Sequence, residues 1–248
     1  MAKVAVITGA GRGIGAATAI LAAQHGYDVC VNYAANAEAA EQTADACRKH
    51  GAKAIAMRAD VASPEEVTHL FERCDSELGS PALLVNNAGV IGGATTVENL
   101  ASEVLRRTFA VNVEGAFYCA REALRRMSNR NGGSGGVIVN ISSIAATLGS
   151  PGEYVHYAAS KAALDTMTVG LAKEVGPLGI RVNAIQAGTV DTDIHKTGGN
   201  PDRPANVARA SPLGRVATPM DIAEAVLWLA SEKAGYATGT ILRLGGGL

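Results

Sequence analysis

Seven short runs of continuous apolar character, VAVIT (4–8), VCVNY (29–33), AIAMR (54–58), LLVNN (83–87), VIVNIS (137–142), RVNAI (181–185) and TILRL (240–244), are spaced along the chain by longer stretches with helical signals. A strand that is apolar at nearly every position, rather than at every second one, has to be covered on both faces. That is the condition of a parallel sheet lying between helical layers. Parallel neighbours need crossover connections, and the intervening stretches supply them. Ser63-Pro64-Glu65-Glu66 and Thr218-Pro219-Met220-Asp221 each read as an N-cap, a proline at the first helical position and early acid. Right-handed βαβ units in series predict an α/β chain with a doubly wound, mainly parallel seven-stranded sheet and helices on both faces.

With 248 residues, no linker and no internal repeat, residues 1–248 are expected to form a single domain. Hydrophobic residues make up 48% of the chain but aromatics only 4%, a balance suited to small side chains packing helices closely on a sheet. A net charge of −1 offers no field for gathering nucleic acid or anionic membrane. No apolar run is long enough to span a bilayer, and the opening MAKVAVITGA reads as a buried strand rather than a leader. Cys30, Cys47, Cys74 and Cys119 are scattered and form no CxxC pair, so no metal site and no disulfide framework is expected. A reduced, cytoplasmic setting fits that usage. Two segments look irregular. NGGSGG (131–136) reads as a flexible turn, and residues 189–214, with three prolines, read as a mobile lid over a site.

The first strand runs directly into Thr8-Gly-Ala-Gly-Arg-Gly-Ile-Gly15, and a helical stretch follows to about His25. A glycine-rich turn between strand and helix lets backbone N–H groups approach a pyrophosphate, which the helix N-terminus also favours. Gly9 permits the tight turn, Gly13 the close phosphate approach and Gly15 the packing of helix on strand; Ile14 belongs to the same cradle. A Rossmann-type dinucleotide site is therefore expected here. NAD specificity calls for an acid at the end of the second strand. That end reads Asn32-Tyr33-Ala34-Ala35, which places Asn32 and Tyr33 beside the ribose without a carboxylate. Arg12, inside the turn, can pair with a ribose 2′-phosphate instead. NADP(H) is favoured, with NAD(H) as the alternative.

Tyr157 and Lys161 in YAASK (157–161) stand four apart and share a helix face. An unperturbed tyrosine titrates near 10, too high to exchange its proton readily at neutral pH. A neighbouring ammonium favours the phenolate and lowers that value. Tyr154 has no lysine at this spacing and reads as a packing or pocket residue, and His156 points off the Tyr157 face as a structural or solvated histidine.

TGAGRGIG (8–15), NNAG (86–89), VNVEG (111–115), NISS (140–143) and YAASK (157–161) occur in this order, and with them the chain resembles the short-chain dehydrogenase/reductase family over essentially its whole length. The resemblance implies that Tyr157 is the general acid or base and that Lys161 binds the nicotinamide ribose and depresses the tyrosine pKa. It implies further that Ser143 hydrogen-bonds the substrate oxygen and that Asn112 holds a water linking Lys161 to solvent. Asn87, Ala88 and Gly89 would lie along the adenosine ribose, Asp60 and Val61 against the adenine, and Val190 and Thr192 at the nicotinamide carboxamide. Ser142 is left a structural role.

Two departures stand out. Fourteen positions separate Ser143 from Tyr157, one more than the family's usual spacing, and Ala187-Gly188 stands where the family shows Pro-Gly. The resulting expectation is an NADP(H)-dependent oxidoreductase that interconverts a carbonyl and a secondary alcohol. By resemblance it is a homotetramer, packed through the helices that start near Leu100 and Val155. Within the class, the rivals are an NAD-linked sugar or polyol dehydrogenase and a 3-oxoacyl-carrier-protein reductase, the latter needing a basic patch such as Arg125, Arg126 and Arg130. From another class, the rival is a binding protein that senses NADP(H) without turnover.

Overall fold

The computed structural model describes residues 2–192 and 203–248. Seven strands are found where the apolar runs predict them: β1 (Lys3–Ile7), β2 (Tyr27–Tyr33), β3 (Ala54–Arg58), β4 (Pro81–Asn86), β5 (Gly136–Ser143), β6 (Ile180–Ala187) and β7 (Ile241–Leu244). Their spatial order is β3-β2-β1-β4-β5-β6-β7, and every neighbouring pair is parallel. The chain winds outward from β1 in one direction and from β4 in the other. A crevice therefore opens beyond the carboxyl ends of these two strands, where such sheets bind ligands.

Two hydrophobic clusters, one on each face, sandwich the sheet. One joins strand residues such as Ile7, Val31 and Val85 to α1 (Gly13–Gln24), α2 (Ala37–Arg48) and the late helix numbered α9 below. The other joins Val6, Leu84 and Ile138 to α3 (Pro64–Glu77), α5 (Gly115–Met127) and α7 (Val155–Val175). The remaining helices are α4 (Ser102–Phe109), the single turn α6 (Ala145–Leu148), α8 (Arg203–Ala210) and α9 (Pro219–Ala230). Ser63 Oγ accepts from Glu66 N, and Thr218 Oγ1 accepts from Asp221 N while Asp221 Oδ2 accepts from Thr218 N. Both expected N-caps therefore close orphan donors at the start of a helix.

One irregular segment differs from expectation. In NGGSGG, a Cβ on Gly133 would stand 2.3 Å from Arg126 O, and one on Gly135 2.4 Å from Gly179 O. These glycines are required by close backbone packing rather than by looseness. Within the expected lid, 189–214, Val190 bridges to Ala217 and α8 occupies Arg203–Ala210. The rest of the expected lid, 193–202, lies outside the described residues. Among the described residues no helix is long and apolar enough to cross a membrane, and no group of His, Cys, Asp and Glu could hold a metal.

Candidate active site

A cleft of about 570 Å³ runs along the carboxyl edge of the sheet. Gly9, Arg12, Gly13, Ile14, Asn32, Tyr33, Asp60, Val61, Asn87, Ala88, Gly89, Ser143, Tyr157, Lys161, Val190 and Thr192 all line it, gathered from ten separate stretches of the sequence. Gly15 and Asn112 stand just behind the wall.

The glycine turn is held open by close approach. Gly9 adopts φ +62°, and a Cβ there would stand 2.9 Å from Ala88 Cα. Gly13 has φ +57°. At Gly15 a Cβ would meet Asn87 Nδ2 at 2.5 Å and Gly9 O at 2.7 Å, so this glycine packs against the turn itself rather than only helix on strand. Asn87 is the clamp: its Nδ2 donates to Thr8 O (2.8 Å) and Gly9 O (3.0 Å). Asn32 is a second one. It is buried, its Oδ1 accepts from Gly9 N (3.2 Å), and its Nδ2 donates to Ala59 O (3.0 Å) and Met57 O (3.3 Å). The side chain thus ties the glycine turn to β3, and its polar atoms are taken up by backbone. Arg12 is exposed at the rim, and no carboxylate among the described residues pairs with it. A glycine turn with no room for a Cβ at Gly9 or Gly15, with the Arg12 guanidinium at its rim and no carboxylate on it among the described residues, fits a dinucleotide.

At the other end of the ribose strip stands a pair that sequence reasoning missed. Arg107 Nη1 donates to Asp60 Oδ2 at 2.8 Å, and Asp60 Oδ1 accepts from Ala62 N at 3.1 Å. Burial pushes the Asp60 carboxyl up, but the bonds from Arg107 and Ala62 outweigh it and leave the pKa lowered. Arg107 comes from α4, 47 residues away in sequence, and carries no local signal that would mark it.

The catalytic end is built from α7, the end of β5 and a π-helical turn at Ala110–Glu114. The wider turn brings the buried Asn112 inward, as such turns do at functional sites. Asn112 Oδ1 accepts from Val90 N (2.8 Å), and its Nδ2 donates to Val90 O (2.9 Å) and Ser160 Oγ (2.9 Å). Lys161 is 4% exposed and its Nζ donates to Ile141 O at 2.7 Å. Burial lowers its pKa to about 8, with the charge of Asp165 acting in the opposite sense. The ammonium sits 5.7 Å from the centroid of the Tyr157 ring. Ser143 Oγ accepts from Ala145 N (3.1 Å), which leaves the hydroxyl proton to donate. Its neighbour Ser142 turns away, donating to Lys161 O (3.2 Å) from a buried position.

Between Ser143 and Tyr157, after α6, Gly149 (φ +77°), Ser150 (φ +44°) and Gly152 (φ +75°) turn the chain through three left-handed residues. Ser150 is the only described non-glycine with positive φ, a conformation costly for a side chain. Ser150 O then accepts from Tyr154 N (3.1 Å) at the start of α7. Tyr154 lines the cleft from a buried position, and His156, also buried, donates from Nε2 to Ile91 O (3.0 Å). Tyr154 therefore shapes the pocket wall, and His156, bonded to the backbone of the lining residue Ile91, is structural rather than solvated.

Of the basic patch considered for a carrier protein, Arg130 is exposed and Arg125 stays 60% exposed, whereas Arg126 is engaged within the protein. Arg126 is 16% exposed, and its Nε and Nη1 meet Asp75 Oδ2 (2.6 Å) and Glu122 Oε2 (2.8 Å), while Arg125 pairs with Glu122 Oε1 at 2.7 Å.

Fold and cleft together define a class: a doubly wound sheet with a dinucleotide cradle at its switch point and a tyrosine–lysine pair beside it. A family model described as enoyl-(acyl carrier protein) reductase matches residues 9–248. The chain is 47% identical to an uncharacterized oxidoreductase, YgfF, of Escherichia coli over 98% of its own length and 99% of the relative's. It is 36% identical to an L-rhamnose 1-dehydrogenase (NAD(P)(+)) of a Sphingomonas species, covering 99% of this chain and 96% of that protein. A solved double variant of a Serratia marcescens short-chain dehydrogenase/reductase superposes with TM-score 0.90 at 38% identity, covering 99% and 97% of the two chains. The chain belongs to the short-chain dehydrogenase/reductase family, and it is an oxidoreductase acting on CH–OH and C=O groups.

Proposed function

We propose that the protein interconverts a carbonyl and a secondary alcohol with NADP(H), using Tyr157 as general acid and base. The observation that carries the reading is a buried Lys161 ammonium beside the Tyr157 ring in a cleft that also holds Ser143. The bound nicotinamide would supply or accept the hydride. Ser143 donates a hydrogen bond to the reacting oxygen and fixes it. Tyr157 passes its proton to that oxygen as negative charge develops, and recovers it from an alcohol in reverse. Lys161, positive below about pH 8, favours the phenolate that remains. Asn112 orders the loop at Val90 and the Tyr157 turn, the latter through Ser160, whose Oγ donates to Tyr157 O at 2.7 Å.

For the cofactor, Gly9, Gly13, Ile14 and Gly15 would hold the pyrophosphate. Asn87, Ala88 and Gly89 would hold the ribose, Asp60 and Val61 the adenine, and Val190 and Thr192 the carboxamide. Preference for NADP(H) rests on Arg12, with no carboxylate on it among the described residues, and on a β2 end, Tyr33 to Asn36, with no acid; Asn36 Oδ1 is occupied capping α2 through Ala39 N at 3.0 Å. The same proposal includes a homotetramer in a reduced, cytoplasmic setting, with residues 189–214 closing over substrate. Exposed Leu105, Phe117 and Val155 on α4, α5 and α7 support the assembly, and four free buried cysteines support the setting.

The test combines a carbonyl and alcohol panel, followed at the reduced-nicotinamide absorbance with both cofactors, and the Tyr157→Phe variant. We expect turnover with a preference for NADP(H) that Arg12→Ala erases, and loss of turnover in Tyr157→Phe with cofactor still bound. Full activity in Tyr157→Phe would sink the mechanism; retained binding with no turnover by the wild type on any compound would favour a sensor.

A further inference from the structure

Beyond the Ser143–Tyr157 pair the cleft continues, and its wall changes chemistry. The charged side chains that line the whole cleft among the described residues are Arg12, Asp60, Arg107 and Lys161. Arg12 lies in the glycine turn, Asp60 and Arg107 pair with each other at the opposite end of the ribose strip, and Lys161 belongs to the proton chemistry. The lining residues that follow Gly89 and Ser143, or precede Tyr157, are mostly of another kind: Val90, Ile91, Ile144, Ala145 and Leu148, with the hydroxyl-bearing Ser150 and Tyr154 among them. Two polar groups beside them are engaged within the protein. His156 Nε2 is on Ile91 O, and Glu153 O accepts from Thr95 N at 2.8 Å. Leu148, at the end of α6, is 54% exposed on this rim, an apolar side chain left to water.

We propose that the substrate is an uncharged carbonyl compound with an apolar alicyclic or aliphatic flank, seated on Ile91, Ile144, Leu148 and Tyr154, and that Leu148 is a specificity-determining residue. The inference rests on the carbonyl–alcohol reading above and deepens it. An apolar flank entering this wall loses water from both surfaces, a gain proportional to the area covered. The hydroxyls of a sugar, or a carboxylate, would lose their hydration against Ile and Leu, with no cation and only the hydroxyls of Ser150 and Tyr154 among the described residues of this wall to replace it.

The test measures kcat/KM with both cofactors for cyclohexanone and its 4-methyl, 4-ethyl and 4-propyl derivatives, for L-rhamnose in the oxidative direction, and for a charged 2-oxo acid. We expect a rise of about fourfold for each added methylene, the ratio that ~0.8 kcal/mol of transfer free energy gives. L-rhamnose and the oxo acid should fall at least about a hundredfold below the best ketone. Leu148→Asp should cut the gain per methylene while leaving cofactor affinity unchanged, and Leu148→Ala should do so more weakly. Calorimetric titration of the same compounds into Tyr157→Phe with cofactor reads the pocket without turnover. Alicyclic ligands binding there, even with a catalytically inert wild type, would uphold the pocket and break the mechanism instead. A sugar or oxo acid preferred in either assay, or no alicyclic binding at millimolar concentration, would overturn the inference.

Discussion

Glu122 and Lys161 are 2% and 4% exposed, and both project from helices packed on the same face of the sheet, yet their surroundings treat charge in opposite ways. The Glu122 carboxylate is ringed by Arg125 and Arg126, with Arg121 Nε 3.8 Å away, and Arg126 continues to Asp75 and stacks 5.3 Å from the Phe71 ring centroid. Burial opposes the Arg126 charge, but its bonds to Asp75 and Glu122 outweigh that and hold the pKa up. Lys161 has no carboxylate within ion-pair distance among the described residues, and its Nζ donates a hydrogen bond to a carbonyl oxygen, Ile141 O. Its pKa falls to about 8. A buried charge ion-paired to counter-charges is a strut; one bonded only to a carbonyl dipole, with its nearest carboxylate influence too weak to offset burial, is poised to titrate, and it is the second that stands beside Tyr157.

The comparison can be broken at either member. Lys161→Met should lower turnover by about a thousandfold, within the range that general acid–base catalysis contributes, with thermal stability equal to or above wild type because a desolvated ammonium is gone. Steady-state kinetics and a melting scan read the two together. Glu122→Gln should do the reverse. Removing one partner of a buried cluster costs about 3–5 kcal/mol of stability, while turnover per folded molecule stays unchanged; denaturant unfolding and active-site titration decide it.

A pH series sharpens the contrast. The folded pKa of Lys161, about 8, lies below its ordinary 10.5. Between these values the unfolded chain binds the extra proton, so the contribution of this group to stability rises with pH across that window, on the order of 3 kcal/mol in all. Carbonyl reduction should fall over the lower part of the same window as the ammonium is lost. Stability and activity moving together there would show that Lys161 is not the titrating group.

The smallest expected effect is at α9. Asp221 is held well below the usual carboxylate range, first by the bond from Arg215 and then by Thr218 N. A depressed acid stabilises the fold above its unfolded pKa and loses that contribution as pH falls through the folded value. Asp221→Asn should cost about 1 kcal/mol near neutral pH, and the difference from wild type should vanish in acid, as seen in chemical denaturation at several pH values.

Local residue type made much of this legible. Strands buried on both faces must be apolar throughout, so β1 to β7 announce themselves, and Ser63 and Thr218 announce α3 and α9 because orphan N–H groups need side-chain acceptors. The glycine turn and the Tyr157–Lys161 spacing were equally plain, since a close backbone approach and an i, i+4 pair are properties of neighbours along the chain. What could not be read locally depended on partners brought from far away. Arg107 reaches Asp60 across 47 positions, Asn32 holds Gly9 through its amide rather than facing the ribose alone, and Arg126 turns inward to Asp75. NGGSGG looked loose until Arg126 O and Gly179 O closed on it. Sequence by itself determined the elements, the glycine turn and the Tyr157–Lys161 spacing, because each is set by steric and hydrogen-bonding demands within a few residues. Only tertiary structure decided which charges are neutralised, which glycines are obligatory and which wall of the cleft is apolar, because burial and electrostatic partnership exist only once distant segments share the same space.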